Sequence, residues 1–199
     1  MASIIQLDEL QTSSGNVQLV NGYPRRPARI IEYLTSFCDG STMIGESGTY
    51  TTQNVTGQQT TTTTYTDMTG SVITYTPPPT ATEVVYKFTF SSHWNGIGTH
   101  SIQHFKFFIA GTEVVNARYN RSSVYYENRT SFEWVIPIGG IADTNSGRQA
   151  SWTTARELKM QTRHYSTASN LQHLHGTYYW DGTTGNQFNL PQLTIIAIA

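Results

Sequence analysis

A single cysteine, Cys38, leaves no partner for an internal disulfide, so no thiol framework staples this chain. Charge is also scarce. Asp, Glu, Lys and Arg supply 13% of the 199 residues, against about 25% in an ordinary globular protein, and the formal net charge is -1. The densest basic run, Arg25-Arg26-Pro27-Ala28-Arg29, is too short to track a phosphate backbone, which argues against nucleic acid as a partner. No run approaches the roughly 20 apolar residues of a membrane span, so no membrane partner is expected. Residues 1–20 lack the charged head and apolar core of a secretory signal, and synthesis in a cytoplasm is expected.

Catalytic signatures are missing too. There is no Gly-x-Ser-x-Gly elbow, phosphate loop or zinc spacing. Cys38, within Ser36-Phe-Cys-Asp-Gly40, reads as a small core residue. Glu113, Glu127, Glu133 and Glu157 are scattered and fall mostly at outward strand positions, although carboxylate pairs can be assembled in space. The expectation is a protein that is not an enzyme and has no cofactor.

What the chain does have is alternation. Val84, Tyr86, Phe88 and Phe90 share one strand parity, with Val85, Lys87, Thr89 and Ser91 facing outward or toward a neighbour. Phe105, Phe107 and Ile109 repeat the pattern, and Ala110-Gly111 predicts a tight turn into Thr112–Val115. Further strands are predicted at Arg29–Phe37, Val72–Thr76, Phe132–Ile138, Leu158–Tyr165, Leu171–Tyr179 and Leu193–Ile198. Pro137 cannot donate to a ladder, which places its strand at an edge or ends it there. About eight core strands separated by Gly, Asn, Ser and Pro turns predict an all-β fold: a jelly-roll-like antiparallel β-sandwich. The Thr- and Gln-rich stretch 49–69 is expected to project as a long hairpin or loop, and residues 141–154 to form another loop.

The two ends of the chain carry the assembly expectation. Leu193-Thr-Ile-Ile-Ala-Ile-Ala199 is apolar at both strand parities and must be covered on both sides. Leu193, Ile195, Ile196 and Ile198 are therefore expected at an oligomer contact near a symmetry axis. Residues 1–24 read as a short N-terminal docking arm before a body spanning 25–199. Ile4, Ile5, Leu7 and Leu10 would supply its apolar contacts, and Arg25, Arg26 and Arg29 would pair with acidic groups on the docking partner.

Two other constellations bear on ligands. His173-Leu-His175 on a strand would point both imidazoles one way, a weak candidate for a metal site; polar strand residues bonded to neighbours are the commoner outcome. Trp94 and Tyr178-Tyr179-Trp180 sit beside Asn95-Gly96 and Asp181-Gly182 near turns, where planar rings can stack on a host surface glycan or cap the sandwich.

The opening Ser3-Ile-Ile-Gln-Leu-Asp-Glu-Leu-Gln-Thr-Ser-Ser-Gly15 resembles the N-termini of phage virion proteins, especially fibre and decoration proteins of marine phages. The segments Ile73-Thr-Tyr-Thr-Pro-Pro-Pro-Thr-Ala-Thr-Glu-Val-Val-Tyr-Lys-Phe-Thr-Phe90 and Ile102-Gln-His-Phe-Lys-Phe-Phe-Ile-Ala-Gly-Thr-Glu-Val114 are similar to the body of that group. Aromatic strands and an apolar last strand also resemble trimeric jelly-roll proteins shaped like tumour-necrosis-factor and C1q heads. The resemblance implies a virion component without a cofactor: a homotrimer that decorates or cements a capsid, or forms a short fibre. Its partners would be itself and another virion protein, such as the major capsid or tail protein. The alternative is a lectin-like, host-receptor-binding module at a fibre tip.

Overall fold

The computed structural model describes residues 18–20, 23–25, 28–94, 101–123, 128–165, 172–180 and 184–199. For 18–20, 23–25, 94, 101, 123, 128, 178–180 and 184–186 only the backbone is described. Alternating β-branched and aromatic residues yield strands throughout, and no helix occurs among the described residues.

In chain order the strands are β1 (Gln18–Val20), β2 (Tyr23–Arg25), β3 (Ile30–Phe37), β4 (Thr42–Ile44), β5 (Thr49–Thr51) and β6 (Gln59–Thr60). Next come β7 (Thr66–Asp67), β8 (Ile73–Tyr75), β9 (Glu83–Trp94), β10 (Ser101–Ile109), β11 (Thr112–Ser123) and β12 (Asn128–Pro137). The last are β13 (Arg156–His164), β14 (Gln172–Leu174), β15 (Gly176–Trp180), β16 (Thr184–Phe188) and β17 (Gln192–Ile198).

Two curled antiparallel sheets face each other. The first runs β12, β9, β17, β3, with β14 and β6 continuing beside the far end of β9. The second runs β11, β10, β13, with β7 and β8 sharing the other side of β13. Counting the principal strands along the chain as β3, β7 with β8, β9, β10, β11, β12, β13 and β17, the sheet orders are 1-8-3-6 and 2-7-4-5. That interleaving is the double Greek key of a jelly roll. The predicted all-β sandwich is the observed fold.

The predicted inward residues make the core. Val84, Tyr86, Phe88, Phe90, Phe105, Phe107 and Ile109 are buried, joined by Ile136, Leu158, Met160 and Leu193. Rings bridge the sheets: Tyr86 lies 4.8 Å from Phe107, Phe107 lies 5.4 Å from Phe132, and Phe90 lies 5.7 Å from Phe105. The buried Tyr86 hydroxyl donates to Ser71 O at 2.6 Å, which satisfies its only O–H inside the core. Cys38 is fully buried, and burial pushes its thiol up to about 12, as suits an inert core residue.

Local turns follow from residue chemistry. Ala110 (φ 48°) and Gly111 (φ 79°) both adopt positive φ, the two-residue hairpin geometry that matches strand twist. Pro137 ends β12, whose only partner among the described residues is β9, so the proline sits on a sheet edge as expected. Residues 141–154 lie outside the named strands.

Three expectations are corrected. Val85 and Ser91 on the outward parity of β9 are buried: Val85 stands between Ile196 of β17 and Val135 of β12, and Ser91 lies under Asn189, whose Nδ2 donates to its Oγ at 3.3 Å. The stretch 49–69 does not project. It crosses from one sheet to the other, pairing Thr60 with His173 through β6 and Thr66 with Thr162 through β7. Thr61 is buried between them: its N–H donates to Gln172 O at 2.8 Å, and its hydroxyl accepts from Gln172 N at 3.1 Å. Polar β-branched residues can therefore line a sandwich end when their hydroxyls replace backbone partners. Finally, the single strand predicted over Leu171–Tyr179 is interrupted at His175, whose φ of 59° separates β14 from β15.

Candidate functional site

The outer face of the first sheet is built from cross-strand rows set by the observed register. One row joins Tyr33, Ile196, Val85 and Val135 across β3, β17, β9 and β12. The row beside it places Ile30 opposite Ile198. Tyr33 and Ile30 are each 58% exposed and Val135 is 43% exposed, while Val85, in the middle, is covered by its neighbours. A continuous apolar band four strands wide thus faces outward, the kind of patch that marks an interaction surface.

Polar rows follow along the same strands. Thr35 and Thr194 share a hydroxyl contact of 2.9 Å, and Lys87 pairs with Glu133 at 3.7 Å. Beyond them, Phe37 sits opposite Gln192, and Thr89 contacts Ser131 at 3.1 Å. A cleft of about 410 Å³ closes this end of the face, lined by Phe37, Phe188, Arg129, Asn189 and Leu190 among others. Phe37 is 51% and Phe188 40% exposed, so two open rings share the cleft wall with Arg129. The face can bind through apolar contact with a small polar centre to fix register.

Beneath the band lies a polar network that the sequence reading did not single out. Glu32 alternates inward on β3 and is buried at 5% exposure. Its carboxylate accepts from Ser47 N at 2.8 Å, from Ser47 Oγ at 2.7 Å and from the Tyr75 hydroxyl at 2.6 Å. Burial, followed by the bond to Glu32, pushes the Tyr75 phenol far above its ordinary range, so it stays a donor. The network pins β3 to the turn before β5 and fixes the strand that presents Tyr33. Tyr33 and Phe37, at the parity opposite Leu34, were the available signal that β3 is apolar on both faces.

The residues expected at an oligomer contact divide between the two faces. Leu193 and Ile195 are wholly enclosed in the chain's own core, which corrects their assignment, because β17 is the strand between β3 and β9. Ile196 and Ile198 lie on the outer face, partly exposed. Ala199 is tied back to Arg29 by bonds of 3.0 and 2.9 Å, so both partners are backbone anchors of the β3 edge. Ile4, Ile5, Leu7, Leu10 and Arg26 lie outside the described residues. Arg25 pairs with Gln18 in the hairpin of β1 and β2, its side chain likewise outside the description.

Of the expected glycan contacts, Trp94 pairs with Gln172, and Tyr178, Tyr179 and Trp180 lie in β15 against β16. Their side chains are outside the described residues. The two histidines do not form the expected same-facing pair. His173 stacks on His93 of the adjacent strand at 5.2 Å, with Nδ1 3.2 Å from Thr60 Oγ1. His175 instead packs edge-on to Phe88 at 6.3 Å, with Nε2 3.0 Å from Thr69 Oγ1. Burial pushes His175 down to about 4 and, with His93 nearby, lowers His173. Among the described residues, no three His, Cys, Asp or Glu side chains gather as a metal site.

No family model matches this chain, and no curated protein matches its sequence.

Proposed function

We propose that this protein is a non-enzymatic structural subunit that works by docking its outer β3, β17, β9, β12 face onto copies of itself as a homotrimer. The supporting observation is the outward row of Tyr33, Ile196, Val85 and Val135 on a rigid jelly-roll sheet. Apolar surface arranged across four hydrogen-bonded strands is preorganised, so little ordering entropy opposes association. A closed ring of copies would remove the band from water without leaving an open growing end.

The resemblance of the opening and of two body segments to phage virion proteins supports reading such a trimer as part of a particle, a capsid decoration or cement protein or a short fibre. Residues 1–24 would dock it to another virion protein, and three arms on one trimer raise the effective concentration of each contact. The second reading is a glycan-binding fibre tip, favoured by the exposed Phe37 and Phe188 rings beside Asn189 and Arg129.

Sedimentation of the full chain should give the mass of a trimer, and Ile196→Asp should reduce it to a monomer that melts cooperatively. A monomeric wild-type chain at micromolar concentration would overturn the assembly reading. Removing residues 1–24 should abolish incorporation into particles while the soluble trimer persists. Retained glycan binding by that truncated chain, lost on Phe188→Ala, would select the tip instead.

A further inference from the structure

The second sheet presents a different outer wall. Strands β10 and β11 stay in register from Ile109 opposite Thr112 to Phe107 opposite Val114, and again from Phe105 opposite Tyr119 onward. Between those stretches Lys106 alone faces the run from Val115 to Arg118. So large a bulge breaks the ladder and re-aims the side chains on either side of it. A cavity of about 360 Å³ opens there, with Tyr65, His104, Lys106, Arg118 and Asn120 in its wall.

The charges around this cavity do not balance. Glu113 accepts from Lys106 Nζ at 3.0 Å and from Arg118 Nε at 2.5 Å. Arg118 and then Lys106 hold its carboxyl below the usual range, so it remains an anion that positions both cations. Lys106 Nζ also lies 4.4 Å, and Arg163 Cζ 5.3 Å, from the centre of the Tyr65 ring. Lys106 and Arg118 share the Glu113 carboxylate, and Arg163 lies over the Tyr65 ring that Lys106 also meets, so among the described residues three cations stand near one paired carboxylate. Arg163, cross-strand neighbour of His104, has a buried Nε without a hydrogen-bond partner, and His104 Nε2 is in the same state. Buried polar atoms left without partners are costly, and they point to a site completed by something else.

We propose that this cavity binds the carboxylate or sulfate group of an acidic saccharide. The volume is at the lower end of organic ligand sites and exceeds what a bare inorganic ion fills. Guanidinium and ammonium groups meet the anionic group, with the planar Arg fork suited to its paired oxygens. The Asn120 amide, the His104 imidazole and the Tyr65 hydroxyl are hydrogen-bonding groups suited to ring hydroxyls. A nucleic-acid backbone does not suit this place, because Lys159 beside it is already paired with Asp67 and Glu157 and the positive patch ends there. The site lies on the sheet opposite the apolar band, so it stands independently of the assembly reading.

Calorimetric titration of the full chain with galacturonate, galactose 6-sulfate, neutral galactose and sodium sulfate tests the proposal. At least one acidic sugar should bind, more weakly as ionic strength rises, with neither galactose nor inorganic sulfate matching it. The preferred acidic sugar identifies the anionic group as carboxylate or sulfate. Lys106→Met and, separately, Arg118→Met should each weaken binding about tenfold with an unchanged melting profile. Arg118 is exposed, so its variant keeps the test valid if Lys106→Met misfolds. Equal binding of neutral galactose, equal binding of inorganic sulfate, wild-type affinity in the Arg118 variant, or no binding of either acidic sugar would each overturn it.

Discussion

The two sheets of this sandwich share an inward pattern and diverge outward. Both send aromatic and branched residues to the core at every second position, so the interior is one continuous packing of Tyr86, Phe107, Phe132 and their neighbours. Outside, the first sheet carries an apolar band and, among the described residues, one solvent-exposed ion pair, Lys87 with Glu133. The outer wall of the second carries the pairs of Glu113 with Lys106 and Arg118 and of Lys159 with Asp67 and Glu157. The fold constrains only the inner parity of each strand. The outer parity is free to be apolar on one wall and charged on the other.

The sharpest break of that comparison is a charge placed on the apolar side. Tyr33→Asp should dissociate the proposed trimer to monomers by light scattering, whereas Lys159→Ala on the opposite wall should leave the mass unchanged. Dissociation by both, or by neither, would erase the distinction between the faces.

Acid should act next most strongly, on the interior rather than on either face. The unfolded chain protonates its imidazoles near 6.5, while buried His175 stays neutral down to about 4. The unfolded state then holds more protons across that window, so stability falls as pH drops from 6.5 toward 4, by on the order of 3 kcal/mol. His173, lowered for the same reason, adds in the same direction. Urea unfolding of the wild type and of His175→Gln at pH 7 and pH 4.5 should show the loss largely removed in the variant.

A smaller effect separates the two parities of one strand. Glu32→Gln, next to Tyr33 but facing inward, should cost about 2 kcal/mol by leaving the Ser47 and Tyr75 donors poorly matched. It should do so without changing the oligomer mass at saturating concentration. Smallest of all, Lys87→Met should alter stability by about 0.3 kcal/mol or less, because both partners of that pair are well exposed.

Period-2 alternation is a local property, which is why Phe105, Phe107 and Ile109, and the Ala110-Gly111 turn after them, could be read directly from the chain. Pro137 was legible for the same reason, since a missing N–H limits a residue wherever it sits. His175 was not, because its positive φ is imposed by neighbours: its N–H reaches Ser91 O at 2.7 Å and its carbonyl accepts from Asn189 N at 2.8 Å. Glu32 gave no local signal, because Ser47 and Tyr75, which close around its carboxylate, are distant in sequence. The cavity beside Lys106 depends on a register break between two strands, and no composition rule announces where a ladder will slip.

Alternation, turn residues and the shortage of charge and thiols settled the class of fold, since each acts within a few residues along the backbone. Which strand lies between which, and therefore that Leu193 is enclosed while Ile196 looks outward beside Tyr33, was decided only by the jelly-roll interleaving. Neighbour order in a sheet joins residues more than a hundred positions apart, and that long-range pairing alone fixes which apolar side chains remain uncovered.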